Sequence, residues 1–165
     1  MDDPVLARLS VVDRRRLEHA LQLALSTDPA MAPDPFVGAA IADTEGRVRG
    51  RGYHATHGDP HAEPLALADA GEAAHGATLY CNLEPRGYDV PGKRQPRCTG
   101  AIIAAGVARV VIGQVDPHPR VDGPGIRRLL AAGIRVDLAA DEAPYRQANR
   151  ASVARHERAG STEAA

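Results

Sequence analysis

Beyond His61 the chain alternates short Val/Ile-rich runs with helical stretches, and this regular order is what most limits the folds open to it. It reads as helix over 62–70, strand over 78–82, helix over 99–105, strand over 109–112, helix over 125–132 and strand over 134–138. Short apolar strands separated by helices imply βαβ crossovers, parallel pairing and helices on both faces of a sheet. Nearer the start, Leu17, Ala20, Leu21, Ala24 and Leu25 recur at helical spacing behind Asp13, which predicts a first helix capped by Asp13 and ending near Ser26. A Pro-rich loop then leads to a strand from Val37 to Ala42, a turn at Thr44-Glu45-Gly46 and an antiparallel return from Arg47 to Arg51. The expected fold is α/β: a three-layer α/β/α sandwich around a mixed, mostly parallel sheet of about five strands. Residues 141–158 read as a last polar helix and 160–165 as a frayed tail.

A length of 165 residues suits one domain, with its core over about 13–140. The formal net charge is −1 with both signs scattered, so no strong field draws the chain to nucleic acid or to an acidic membrane. With no Trp, one Phe and four Tyr, it also lacks aromatic platforms for unpaired bases. A small-molecule partner is expected instead. Two cysteines, Cys81 and Cys98, make no disulfide framework, and Met1-Asp2-Asp3-Pro4 carries no signal-peptide pattern, which predicts a cytoplasmic protein. No apolar run approaches the roughly 20 residues needed to span a bilayer.

Two clusters carry chemistry. In Pro60-His61-Ala62-Glu63, at a helix start, a neutral imidazole is suited to zinc and the carboxylate two residues on is suited to proton transfer. Alone, the triplet reads equally as a capped helix with an acidic first turn. The second cluster is a strand end, Leu83-Glu84-Pro85-Arg86, followed by a long loop that closes at Pro96-Arg97-Cys98. A thiolate at the helix start there would be stabilised by the helix dipole, whereas a lone Cys is commonly a small core residue.

Taken in order, these blocks resemble the zinc-deaminase signature, an H-x-E followed by P-C and a further Cys. Gly52-Tyr53-His54, Leu83-Glu84-Pro85, Asp34-Pro35-Phe36-Val37-Gly38-Ala39 and Asp116-Pro117-His118-Pro119 extend the likeness, as does the stretch from Ala104 to Val111. The sequence is similar to the deaminase domain of bifunctional riboflavin-biosynthesis deaminase/reductases over about residues 13–138, with no reductase domain. The resemblance implies a cytidine-deaminase-like fold and hydrolytic removal of an exocyclic amine from a ribosylaminopyrimidine phosphate. It implies His61 and Cys98 as zinc ligands, Glu63 as the catalytic proton shuttle, and His54 and Asp34 as substrate-binding residues. Asp34 stands where the family has Asn. Lys93 and Arg94 fall where a basic residue meets the substrate phosphate. A homodimer is expected by analogy.

The departure is Arg86, which stands where the family has its first Cys ligand. A guanidinium stays protonated and offers no lone pair, so it cannot replace a thiolate. Cys81 lies roughly 16 Å away along an extended strand and reads as core. His57, or Asp89 in the longer loop, is a candidate third ligand. The alternative is that metal is lost or weakly held and Arg86 acts beside Glu63 as a fixed cation, in a zinc-independent enzyme of a specialised biosynthetic pathway. A third reading is a non-catalytic binding or regulatory module. Zinc is the single cofactor the pattern raises, at a degenerate site, and no organic cofactor is expected. Arg14-Arg15-Arg16 reads as a solvated helix face, His118 as a loop residue, and Gly123-Pro124-Gly125 as the lead into a helix.

Overall fold

In the computed structural model, the described residues are 9–87, 97–117 and 123–163. The elements run α1 (Val11–Ala24), β1 (Gly38–Ala42), β2 (Val48–Tyr53), α2 (Ala62–Ala70), β3 (Thr78–Cys81), α3 (Cys98–Ala104), β4 (Arg109–Ile112), α4 (Pro124–Ala131), β5 (Arg135–Leu138), α5 (Ala143–Ala148) and α6 (Arg150–Glu163). The five strands form one mixed sheet in the order β2-β1-β3-β4-β5. Its two halves differ: β1 pairs antiparallel with β2 and β3, while β3-β4 and β4-β5 are parallel. The parallel share is thus two of the four pairings rather than most of them. β1 and β2 form an antiparallel pair, and the first crossover runs from β2 through α2 over β1 to β3.

Strand alternation divides the core into two layers. Ala39, Ile41, Leu79, Cys81, Val110 and Ile112 point to the side covered by α2, α3 and α4, where Ile102 and Leu129 are fully buried against them. Tyr80 and Val111 point to the other side, against Leu17 and Leu21 of α1 and Tyr145 of α5. The helix α2 lies especially close to the sheet because β2 alternates Gly50 and Gly52. A methyl group at either would run into the Ala66 or Ala62 carbonyl oxygen. This close seat fixes the start of α2, where His61 and Glu63 stand.

Asp13 departs from its expected capping role. Ser10 caps α1, accepting from the Asp13 N–H, and the Asp13 carboxylate accepts in return from the Ser10 N–H and hydroxyl. That carboxylate also reaches across the sheet, accepting from Tyr80 at 2.9 Å and from Arg109 Nη1 and Nη2 at 2.8 and 3.1 Å. Arg109 Nε donates in turn to Asp137 on β5 at 2.6 Å. Burial and the hydrogen bond to Asp13 push the Tyr80 hydroxyl up to about 12.

The expected last helix is two helices, broken at Asn149. Asn149 is buried, accepts from the Phe36 N–H at 2.7 Å and donates to the Phe36 carbonyl at 3.2 Å, which pins the α5–α6 corner to the loop before β1. The helix α6 continues to Glu163, through the start of the expected frayed tail. Among the described residues, no helix is long and apolar enough to cross a membrane.

Candidate active site

Two helix starts meet at the carboxyl edge of the parallel strands, the edge at which open α/β sheets place their ligands. His61 is the N-cap of α2, Glu63 lies in its first turn, and Cys98 is the first residue of α3. One ligand atom from each of the three lies within 4.8 Å of the other two, and His61 Nδ1 is 3.3 Å from Cys98 Sγ. Glu63 is 2 % exposed, and its Oε2 is buried with no hydrogen-bond partner. Burial pushes its carboxyl above the ordinary range; its own backbone N–H, Cys98 and the charge of Arg86 pull in the other direction. Burial likewise pushes the Cys98 thiol well up, helped by the Glu63 charge and opposed by the Arg86 charge and backbone N–H.

Arg86 therefore acts electrostatically on both Glu63 and Cys98. Its loop is held by Glu84, a buried carboxylate that accepts from the backbone N–H groups of Asp116, Gly123, Gly125 and Ile126. The last three belong to the start of α4, so the acidic residue of Leu83-Glu84-Pro85, which also borders the cavity, serves that helix terminus. Gly125 packs directly on the Pro85 carbonyl, with no room for a side chain. The effect is a rigid strand end that delivers Arg86 to the site.

A cavity of about 220 Å³ opens from this centre. Its walls include Asp34, His54, His61, Glu63 and Arg86 from the expected set, together with Asp116. His54 sits edge-on to His61, ring centroids 5.2 Å apart, with its Nδ1 3.2 Å from the Pro60 carbonyl oxygen. Cys98 adjoins through His61, whereas His57 turns away to Asp34, Nδ1 to Oδ2 3.0 Å. Cys81 is fully buried in the core beneath, close enough for the Glu63 and Cys98 charges to raise it further. Asp89, Lys93, Arg94 and His118 lie outside the described residues. Sequence reasoning missed the fourth wall: Ser152, Arg155 and His156 of α6 also line the cavity. Their i, i+3, i+4 spacing on one helix face was the available signal.

Zinc can be tested against these donors. Tetrahedral bonds of about 2.0–2.1 Å to nitrogen and 2.3 Å to sulfur place the two ligand atoms roughly 3.6 Å apart. The 3.3 Å between His61 Nδ1 and Cys98 Sγ is within a few tenths of that. Two legs fit. Arg86 adds no third leg, because a protonated guanidinium offers no lone pair.

A mixed five-stranded sheet with a His, a Glu and a Cys converging at paired helix starts defines a deaminase-type α/β protein. The family pattern described as "Cytidine and deoxycytidylate deaminase zinc-binding region" matches residues 11–114, and the chain belongs to that family. It is 43% identical over 141 residues to the riboflavin biosynthesis protein RibD of Synechocystis, covering 86% of this chain and 37% of that protein. It is 38% identical over 126 residues to the diaminohydroxyphosphoribosylamino-pyrimidine deaminase of Buchnera aphidicola from Schizaphis graminum, covering 76% of this chain and 83% of that one. Among solved structures, Acinetobacter baumannii RibD matches with a TM-score of 0.80 and 35% identity, over 87% of this chain and 39% of that chain. The chain thus spans under two-fifths of these RibD relatives but most of the Buchnera deaminase.

Proposed function

We propose that this chain, as one deaminase-like domain, is an enzyme acting on an aminopyrimidine nucleotide or a closely related heterocycle. Glu63 is its proton-transfer group. The single observation that carries this is Glu63 itself: a buried carboxylate with an unpartnered oxygen at the wall of a cavity. Burying a carboxyl oxygen without a partner is costly and is characteristic of groups whose partner is the substrate or reacting water. In hydrolytic deamination, water adds to the amine-bearing ring carbon and the exocyclic nitrogen leaves as ammonia. Glu63 takes a proton from the water and returns one to the departing nitrogen.

His61 and Cys98 are the two residues that would hold zinc, whose chemistry is to lower the pKa of a bound water. The proposed site is degenerate, with Arg86 contributing fixed positive charge near the oxygen that develops on the ring carbon. His54 and Asp34 line the substrate side, and Lys93 and Arg94 are assigned to the substrate phosphate. A cytoplasmic homodimer is part of the same proposal.

The electrostatic reach of Arg86 to both Glu63 and Cys98 favours a second reading, a zinc-independent reaction run by Glu63 and Arg86. One experiment separates the readings. Protein purified without chelator is assayed for ammonia release from a diaminohydroxyphosphoribosylamino-pyrimidine and for zinc content, alongside Arg86→Cys. Ammonia release that depends on Glu63 supports the deaminase. Zinc well below one equivalent without ammonia release overturns it. Under the zinc-independent reading, Arg86→Cys gains zinc and loses the native activity, and unchanged activity refutes that reading.

A further inference from the structure

The cavity is too small for the whole of the proposed substrate. Pockets that enclose a drug-sized ligand run to about 300–1,000 Å³, whereas this one holds about 220 Å³. A ring whose reacting carbon meets Glu63 fills the inner end, and the rest of the molecule must emerge where the cavity opens. Ser152, Arg155 and His156 of α6 line the cavity, Arg155 with an exposed side chain, so α6 lies on its solvent side; the helix stands beyond the residues 11–114 matched by the family pattern.

The geometry points to Arg155 as a specificity-determining residue that binds the distal phosphate of the substrate, in addition to the Lys93 and Arg94 assigned to it above. This rests on the aminopyrimidine-nucleotide reading above. Of the described residues lining the cavity, the arginines are Arg86, beside Glu63, and Arg155, whose side chain is exposed to solvent. Arg155 is held in place without being used up. Its Nη1 donates to Asp34 Oδ1 at a long 3.3 Å, the two side chains are 43% and 38% exposed, and Asp34 is among the described residues its sole hydrogen-bonding partner. The other carboxylate oxygen of Asp34 already has His57 at 3.0 Å, so Asp34 keeps a partner when Arg155 turns to a ligand.

The helix that carries Arg155 is firmly docked. Ser152 and Val153 are buried, Asn149 clamps the Phe36 backbone, and Arg146 of α5 donates to Glu157 at 3.0 Å. A guanidinium carried on such a helix presents a planar fork of donors, which matches phosphate oxygens better than a mobile surface cation would. His156, the next residue, lines the same wall.

The test compares wild type, Arg155→Ala and Arg155→Lys by two measurements. The first is kinetics of ammonia release from the phosphoribosylamino-pyrimidine and from its dephosphorylated counterpart. Arg155→Ala should raise KM for the phosphorylated form about 10-fold, with kcat and the dephosphorylated form little changed, and Arg155→Lys should recover part of the loss. The second is binding of ribose 5-phosphate and of ribose, followed by histidine NMR signals. Wild type should bind ribose 5-phosphate in preference to ribose, and Arg155→Ala should lose that preference.

Phosphate-dependent binding through Arg155 without ammonia release would sustain the assignment and reject the deaminase. Ammonia release with equal KM values for wild type and Arg155→Ala would do the reverse. An effect of the same size on both forms of the pyrimidine would make Arg155 a structural residue and overturn the inference, as would failure of both measurements.

Discussion

Two buried polar clusters share this sheet, and they are satisfied to very different degrees. At the start of β4, Arg109 is bonded to both oxygens of Asp13 and to Asp137, and Tyr80, Ser10 and Arg135 take up remaining acceptor positions. At the carboxyl edge, Glu63 is buried as deeply but leaves Oε2 without a partner, beside a histidine, a thiol and an arginine. In a low-dielectric interior a completed network rigidifies, while an incomplete one carries a standing cost. The completed cluster ties α1, β3, β4 and β5 together. The incomplete cluster faces a cavity, and its cost is the signature of a group kept for chemistry.

If that contrast is right, mutations at the two clusters should separate activity from stability. Glu63→Gln should lower ammonia release by about 10²–10⁴-fold, the usual range for loss of a positioned acid–base group. It should leave the melting temperature unchanged or raised, because a neutral amide costs less to bury than a carboxylate. Arg109→Ala should do the opposite. It removes the shared cation from Asp13 and the fully buried Asp137, leaving them Ser10, Tyr80 and Arg135, at a cost of about 3 kcal/mol, the low end for breaking a buried ion pair because these partners remain and Arg109 keeps some solvent contact. For a chain of this size that is roughly a 10 °C drop in melting temperature. Calorimetry and a coupled ammonia assay well below the transition read both. Equal destabilisation by the two substitutions, or equal loss of activity, would erase the distinction.

The order of elements was legible because each parallel strand is a short, largely apolar run that follows a Gly turn and is flanked by helical periodicity. The share of parallel pairing was not. The register of β1 between β2 and β3 is a long-range choice that local pattern does not encode. The convergence of His61, Glu63 and Cys98 could be anticipated from two helix starts and a known motif order. The roles of Asp13 and Glu84 could not, although Ser10-Val11-Val12-Asp13 has capping-box spacing. Their partners lie 96 and 32–42 residues away, and charge pairing across such distances leaves no periodic trace. The same holds for His57, which stands near His61 in sequence but is paired with Asp34.

The smallest expected effect tests the completed cluster by pH. Burial alone would raise the Asp13 carboxyl, but hydrogen bonds from Arg109, Ser10 and Tyr80 outweigh it and hold the group at about 2 instead of 3.8. A carboxyl that binds its proton more weakly when folded leaves the unfolded chain with more protons between those two values, so stability rises with pH across that window. The contribution is complete above about pH 4 and is lost as pH falls through about 2. Its size is roughly 2 kcal/mol, and the side chain is only 10% exposed, so solvent screening removes little of it. Urea midpoints measured from pH 6 to pH 2 for wild type and Asp13→Asn isolate the contribution of Asp13, because the other carboxylates titrate in both. The variant should be less stable at pH 6, and the gap should close toward pH 2. A gap that stays constant would mean that Arg109 draws its anchoring from Asp137 alone, which would place the completed network on β4 and β5 and leave α1 held by apolar packing.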